Sequence, residues 1–575
     1  MQALKERGGP RSAHKLICGS ALVMFSIACG FFQVYGEAVF AGNGFMDEGW
    51  TALLPRAVLA SALFGCAMLT IGHLVEHLRG KRAECEPRRQ GASQQRIPLL
   101  VPQWKGKSVL LFGSIIFLAW LPWGISMYPA SMNWDTFYQI WQWYPESHPL
   151  LFIPWAPTGS FIDNAFTDHH PIFDTLVFGA FARASDLLFG NWNAGVFAFV
   201  LIQAFGMAAS LSACIAYARR KGCPIPVCFG CLIFVCLVPL FPVYAFTMLK
   251  DAFFAWLFIP WFLMVVAICT ERGAPLASPR FCTAFIVLCV LLCLAKKTGL
   301  YIVAPSAVVL ALAFRAHWRP LALSVAAMLV VMKLVLPLVV FPLADVAPGG
   351  KQEMLAPLFQ QTARYVIEHP DEVTPSEQAA IDAVLGYERL AQEYEPLTSD
   401  PIKNGFNWNA TSDELKAYFR AWGSEGARHP LTYLKATFAV SSRYLCLAGN
   451  VAPDFYLADK DHDGTGALWH PASLEEMRVT MEGLYAALME APVLNLPLKA
   501  VVYALWLPLM GLYLMLREKS PYLPIYLPLL LSLAACIIGP VFQARYMIAM
   551  AYVAPLLVCT FFMQWGPRKK EPIRT

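Results

Sequence analysis

Residues 250–270 read KDAFFAWLFIPWFLMVVAICT. A lysine and an aspartate come first, and the nineteen residues after them contain no Asp, Glu, Lys or Arg. At about 1.5 Å of rise per residue, that run covers the roughly 30 Å of a bilayer's hydrocarbon core, so it reads as a membrane-spanning helix with two charges at its mouth. Further apolar blocks occupy 16–36, 52–76, 108–127, 193–217, 225–246, 281–295, 300–315, 320–343, 497–516, 522–540 and 545–564. The expectation is a protein of about 12 transmembrane helices. Composition agrees: 57% of the 575 residues are hydrophobic, 14% are charged and the mean hydropathy is +0.50, whereas soluble domains carry about 25% charged residues. A water-soluble enzyme, a disordered chain, a collagen-like chain and a disulfide scaffold are all disfavoured. The predicted fold class is all-α, a polytopic helical membrane protein.

Charge divides the chain. Residues 346–495 hold 21 of the 39 acidic residues and 11 of the 44 basic ones, a balance of −10, while the remainder stands at +15. The acidic part reads as water-facing. The rest is membrane with basic edges, which speaks of topology and not of nucleic acid. Lys and Arg collect in alternate connections: 77–107, Arg219-Arg220-Lys221, Arg272 with Arg280, Arg315 with Arg319, Arg517 with Lys519, and Arg568-Lys569-Lys570. Cytoplasmic loops carry that excess, so both termini are expected in the cytoplasm and the protein in the plasma membrane. The first block lacks an obvious small-residue cleavage site and reads as an anchor. The domains expected are 1–107, two N-terminal spans and a basic loop; 108–345, a transmembrane core containing loop 128–192; 346–495, an acidic and mostly helical extracytoplasmic segment; and 496–575, the C-terminal helices. In the acidic segment, Ser412 ahead of Asp413-Glu414 reads as a helix N-cap, and 431–447 as an amphipathic helix near the membrane surface.

Sixteen cysteines lie mostly inside apolar blocks, and the acidic segment has only Cys446, so no disulfide framework is expected. Cys228 and Cys231 have zinc-like spacing, but no second Cys/His pair stands near them in the sequence. Small apolar packing residues is the reading.

Loop 128–192 carries the most chemistry. It opens with Ser131-Met132-Asn133-Trp134-Asp135-Thr136 and is rich in aromatics, which suits a surface at headgroup level. Asp163, Asp168-His169-His170-Pro171 and Asp174 follow. A carboxylate held at the membrane edge beside further acid and imidazole suits proton abstraction from a hydroxyl, or cation binding. On equal terms, Asp135 reads as a helix cap and the histidines as interface residues. Lys250-Asp251, Lys296-Lys297 and Arg545 place cations on the same outer edge, against the usual bias. Pairing with a lipid phosphate gives them a reason to be there; snorkelling to the headgroups is the plainer one.

An aspartate shortly after a span, then Asp168-His169-His170-Pro171-Ile172-Phe173-Asp174-Thr175-Leu176, Gln203 in the next helix, and Lys250-Asp251 form an order that resembles a bacterial family of multi-pass proteins. That family is similar to the GT-C glycosyltransferases, membrane enzymes that use polyprenyl-phosphate sugars. The resemblance covers about 108–345, with a looser match over 430–447 and 541–552. It implies a GT-C-like core that moves a sugar from a polyprenyl-phosphate-linked donor to a cell-envelope glycan or lipid acceptor on the outer face, with inversion. It implies Asp135 as general base on the acceptor hydroxyl, with Asp168 as second choice. Lys250, Lys296, Lys297 and Arg545 would hold the donor phosphate, and His169, His170 and Asp251 would be acceptor-side or accessory groups. The partners implied are those two substrates and membrane lipids. The chain departs from the common pattern in its two extra N-terminal spans and in lacking an Asp-x-Asp or Asp-Glu pair beside Asp135. The second departure bears on whether a divalent cation is used; no other cofactor is implied.

Two features stand apart. Asp459, Asp461 and Asp463 match positions one, three and five of a calcium loop with Gly464 at six, but His470 stands where the bidentate glutamate belongs. A solvated acidic turn is the main reading and a structural cation the second. Lys333 lies deep in the ninth block, where charge is expensive and tends to be functional. It favours a lipid-glycan flippase or transporter as the alternative function; a polymerase or ligase of lipid-linked glycans is the alternative among enzymes.

Overall fold

The computed structural model describes residues 10–45, 49–89, 106–144, 165–451, 467–518 and 522–563. Asp163 and the triplet Asp459, Asp461 and Asp463 lie outside the described residues. Helices follow one another closely: α1 (Pro10–Ala41), α2 (Trp50–Arg89), α3 (Gly106–Ser126), the short α4 (Trp134–Trp141), α5 (Ile172–Phe189), α6 (Asn193–Arg220), α7 (Ile225–Leu237), α8 (Leu240–Ala245), α9 (Lys250–Thr270), α10 (Pro279–Ala295), α11 (Gly299–Ala313) and α12 (Trp318–Val330). The last continues as a π-helix over Val331–Val340, around Pro337, where the missing N–H of proline loosens the ordinary ladder.

Among the described residues, seven segments are long and apolar enough to cross a membrane: His14–Ala41, Trp50–Leu78, Ser108–Ser126, Asn193–Arg220, Lys250–Thr270, Arg315–Leu343 and Ala544–Phe562. Shorter apolar helices at Ile225–Leu237, Pro279–Ala295, Gly299–Ala313, Val502–Arg517 and Leu523–Ile537 fall on the other predicted blocks. Block 225–246 is shorter than expected because Val238-Pro239 interrupts it, separating α7 from α8. The protein is all-α and membrane-embedded. Its centre and rim differ sharply: 72% of the apolar window of α9 is buried in the protein, against 11% for Arg315–Leu343.

The acidic segment builds α13 (Gln352–Glu368), α14 (Pro375–Leu385), α15 (Ser412–Arg428) and α16 (Pro430–Leu445). It has its own core, in which Phe359, Ala363, Ile381, Leu385, Ile402 and Tyr418 meet. The cap of α15 is Thr411, one residue before the expected Ser412. Thr411 accepts from the Glu414 N–H, and Glu414 accepts from the Thr411 N–H at 2.7 Å, closing a capping box. The helix expected near the membrane surface over 431–447 is α16; α1 and α13 pack on it and bury Tyr433, Ala436, Val440 and Tyr444, while Leu431 and Leu434 stay exposed. The chain ends with α17 (Glu475–Glu490), α18 (Leu507–Arg517), α19 (Leu527–Ile537) and α20 (Ile548–Phe562).

Two minimal parallel pairings tie loop 128–192 to later chain. Strand β1 (Ser131–Met132) pairs β3 (Thr247–Met248) in the register Ser131↔Thr247, and β2 (Phe166–Thr167) pairs β4 (Val346–Ala347) in the register Phe166↔Val346.

Candidate functional site

The register of β1 on β3 decides which charges meet. Asp135 and Lys250 stand three and two residues beyond the paired Met132 and Met248, each in the first turn of a helix. Asn133, and not Asp135, caps α4: its side chain accepts from the Thr136 N–H at 3.2 Å. The Thr136 hydroxyl donates to the Met248 carbonyl at 2.7 Å, holding α4 against β3. Gln203, buried in α6, donates to the carbonyls of Ala245 and Thr247 at 3.0 and 2.9 Å, fixing the same strand from behind. With the cap role filled by Asn133, the Asp135 carboxylate is left for other partners.

Those partners are cations. Lys250 Nζ donates to Asp135 Oδ2 at 2.8 Å and lies 2.9 Å from His170 Nδ1. Arg545, from the turn that opens α20, places Nη1 3.0 Å from the same Asp135 oxygen and Nε 3.7 Å from Asp251 Oδ2. Lys296 Nζ lies 2.5 Å from Asp251 Oδ1 and rests over the Tyr546 ring. Lys297 Nζ pairs with Asp168 Oδ2 at 2.9 Å and donates also to the Asp168 carbonyl. Asp168 Oδ1 accepts from the Ile172 N–H at 3.2 Å, which starts α5. The His169 and His170 rings stand 4.6 Å apart. The nine residues to which the resemblance assigns a role therefore converge, from five separate stretches of chain. Asp135, Lys250, Lys296 and Arg545 keep side-chain exposures of 10–17%, whereas Asp251 has none. The cluster is sheltered but reachable.

The charges tune one another. Burial alone would push the Asp135 carboxyl up, but Arg545 and Lys250 outweigh it and hold its pKa well below the usual carboxylate range. Burial, reinforced by Lys250, pushes His170 well down and His169 down to about 3, so both imidazoles are neutral near pH 7. Because Lys250 donates to His170 Nδ1, the His170 proton is assigned to Nε2, 4.0 Å from Asp135 Oδ1. Asp174 behaves oppositely. It is fully buried, neither of its oxygens has a hydrogen-bond partner, and burial lifts its pKa well above the usual range, which favours the neutral acid. Lys250, Lys296, Lys297 and Arg545 then face Asp135, Asp168 and Asp251, with one positive charge in excess.

The acidic segment roofs the cluster. Asp168 donates its N–H to the Ala347 carbonyl at 2.8 Å. Two residues on, a Cβ at Gly349 would stand 2.5 Å from the Asp168 carbonyl oxygen, so that close approach requires glycine. Buried Lys403, paired with Glu353 at 2.8 Å, is near enough to help depress His169. Tyr444 of α16 donates its hydroxyl to the Gln543 carbonyl at 2.8 Å and accepts the Gln543 N–H at 2.9 Å, steadying the turn that carries Arg545. Asn133, Thr136 and the Lys403–Glu353 pair escaped sequence reasoning; only Asn133, two residues before Asp135, had a visible cap signature. Lys333 takes no part and is exposed on the outer side of its helix.

No curated protein and no solved structure matches the chain. A family profile does, over residues 54–573, from α2 to beyond α20 and so across every segment that builds the charge network. The chain is a member of the family of unknown function DUF6020.

Proposed function

We propose that this protein is a membrane glycosyltransferase, GT-C-like in its core, that moves a sugar from a polyprenyl-phosphate donor to a cell-envelope acceptor. The observation that carries the proposal is the Asp135 carboxylate held by Lys250 at 2.8 Å and by Arg545 at 3.0 Å, two cations that a phosphate can claim. In the resting state the low pKa of Asp135 makes it a weak base. A donor phosphate entering the cluster competes for Lys250 and Arg545, and each cation that turns to phosphate raises the basicity of Asp135. The base is thereby armed by the substrate. The acceptor oxygen then attacks the anomeric carbon, its proton passes to Asp135, and the carbon–oxygen bond to phosphate breaks with its electron pair leaving on phosphate. Lys250, Lys296 and Arg545 stabilise that growing charge. The neutral imidazoles of His169 and His170 suit hydrogen bonding to an acceptor hydroxyl. Asp168, engaged by Lys297 and the start of α5, is the weaker choice of base.

A divalent cation fits poorly here, because each carboxylate already faces a side-chain cation and the cluster carries excess positive charge. With the basic connections in the cytoplasm, the cluster faces the outer side of a bacterial plasma membrane and both termini lie inside. The test compares lipid-linked sugars and surface glycans in cells lacking the gene, complemented with the wild type or with Asp135→Asn. Accumulated donor and undecorated acceptor are expected in both the deletion and the variant, with the variant present in the membrane at wild-type level. Wild-type decoration by Asp135→Asn removes the proposal.

A further inference from the structure

At the end of α20 away from Arg545, three sulfurs meet and a fourth touches one of them. Cys559 stands 14 residues after Arg545, about 20 Å along a helix. Cys228 and Cys231 are three apart on α7 and share a face, and Cys223 lies in the turn just before that helix. The Sγ atoms of Cys223, Cys228 and Cys559 lie within 4.8 Å of one another, and Cys231 Sγ is 3.7 Å from Cys559 Sγ. None of these four is in a disulfide, and their exposures lie between 0% and 7%. The sequence offered Cys228 and Cys231 without a second pair. The fold supplies it, from the adjoining turn and from 328 residues further along the chain.

We infer that Cys223, Cys228, Cys231 and Cys559 form a structural zinc site that clips α20 to the α6–α7 turn. A tetrahedral zinc with bonds of about 2.3 Å to sulfur sets its ligands about 3.8 Å apart, which is the separation of the Cys231–Cys559 pair, and side-chain rotation brings in the others. A cubane iron–sulfur cluster places several metal atoms between its thiolates and needs wider spacing. Binding is a plain exchange without redox change: one Zn²⁺ enters, up to four thiol protons leave, and the site carries two net negative charges. The same turn supplies compensation in Arg219 and Arg220, with Arg219 Nη1 donating to the Cys223 carbonyl at 3.2 Å, while Lys221 is paired with Glu271 at 2.9 Å. Those basic residues mark the end assigned to the cytoplasm, where thiols remain reduced and available to metal. The inference is independent of the sugar-transfer proposal.

The experiment uses the full-length protein, purified in detergent with a phosphine reductant. About one zinc per chain is expected by mass spectrometry. After chelation, added Co²⁺ should give near-ultraviolet thiolate-to-cobalt charge-transfer bands that Zn²⁺ abolishes. Cys228→Ser/Cys559→Ser should lose those bands and the zinc, while Cys289→Ser, in a buried cysteine elsewhere, keeps both. His369, Glu372 and His429 offer another set of ligand atoms within 4.8 Å in the external segment, but they contain no sulfur. His369→Ala/His429→Ala should therefore leave the charge-transfer bands unchanged. Wild-type protein in which Cys223, Cys228, Cys231 and Cys559 are shown to be reduced, yet which neither carries zinc nor gives the cobalt bands, overturns the inference. So does a Cys231–Cys559 disulfide in protein extracted under thiol-blocking conditions. Should the double serine variant fail to accumulate, the wild-type reconstitution decides alone.

Discussion

Asp135 and Lys333 are both charges among apolar helices, yet one stands where five stretches of chain meet and the other on the rim. Asp135 has two cations at 2.8 and 3.0 Å. Lys333 is exposed on a segment of which only 11% of the apolar window is buried, and its four-carbon stem can carry the ammonium along the helix toward the headgroups. A charge kept out of water must be paired, must reach water, or must be neutralised by a proton. The first solution is the one a charged ligand can disturb, because the ligand competes for the same partner. On the proposed function, Asp135 is then the group that a donor phosphate would switch, and Lys333 stands outside the mechanism. Asp174 and Glu425 illustrate the third solution, the one inside the bundle and the other in its roof.

The contrast breaks first, and most visibly, at Asp135. Asp135→Asn should reduce sugar transfer by at least about 100-fold, the usual contribution of a positioned base, measured as product formed in isolated membranes. Lys250 and Arg545 are partly exposed, so the variant should still fold. Residual activity within about threefold of wild type would make Asp135 as incidental as Lys333. Arg545 is the next largest case, since it bridges Asp135 and Asp251. Arg545→Ala should cost on the order of 2–3 kcal/mol, below the full loss for breaking a wholly buried pair, seen as a fall of several degrees in detergent melting. Arg545→Lys should restore the melting temperature only in part, because an ammonium cannot span two carboxylates as a guanidinium does. An unchanged melting temperature in Arg545→Ala would mean that the cluster is not coupled.

Glu425 sharpens the proton-neutralised case. It has no exposure, and burial together with the Glu377 carboxylate lifts its pKa from 4.5 to about 7. Between those values the folded roof binds a proton that the unfolded chain has released, so stability is lost as pH rises through the window. The shift corresponds to roughly 3 kcal/mol at 1.36 kcal/mol per unit. Glu425→Gln keeps an acceptor for the Tyr433 hydroxyl, now 3.3 Å away, and should melt several degrees above wild type at pH 8.5. At pH 5 the two proteins should agree. Hydrogen exchange over α15 and α16 assigns the change to the roof.

How much of this was legible depends on the range of the signal. The spans announce themselves because a bilayer demands an apolar run of fixed length, as residues 252–270 illustrate. Lys250-Asp251, Lys296-Lys297 and Arg545 were legible as candidates because they stand at the wrong ends of their helices for ordinary topology. Their pairing was not, since it rests on two-residue strands whose register no four residues can declare. The α15 cap was readable but misplaced by one: Glu414 is the third helical position only if Thr411 is the cap, and the Thr-x-x-Glu spacing says so. Cys559 gave no signal at all, for contacts across 328 residues leave no local pattern.

The smallest expected effect completes the contrast. On sequence alone, Lys333 was the feature that favoured transport, because a lysine near the middle of a span often lines a polar path. In the folded chain it is exposed on a helix at the rim, of which only 11% of the apolar stretch is buried. Lys333→Met should leave sugar transfer and lipid-linked sugar levels at wild-type values, with melting changed by no more than a degree or so in either direction. A surface methionine removes the charge while keeping a flexible apolar stem of similar length, so any large consequence would come from the ammonium itself. Abolished glycan decoration in Lys333→Met, with Asp135→Asn active, would invert the assignment. Function would then follow a charge moving at the lipid-facing rim, as in a flippase, and the ion pairs at the centre would be scaffolding.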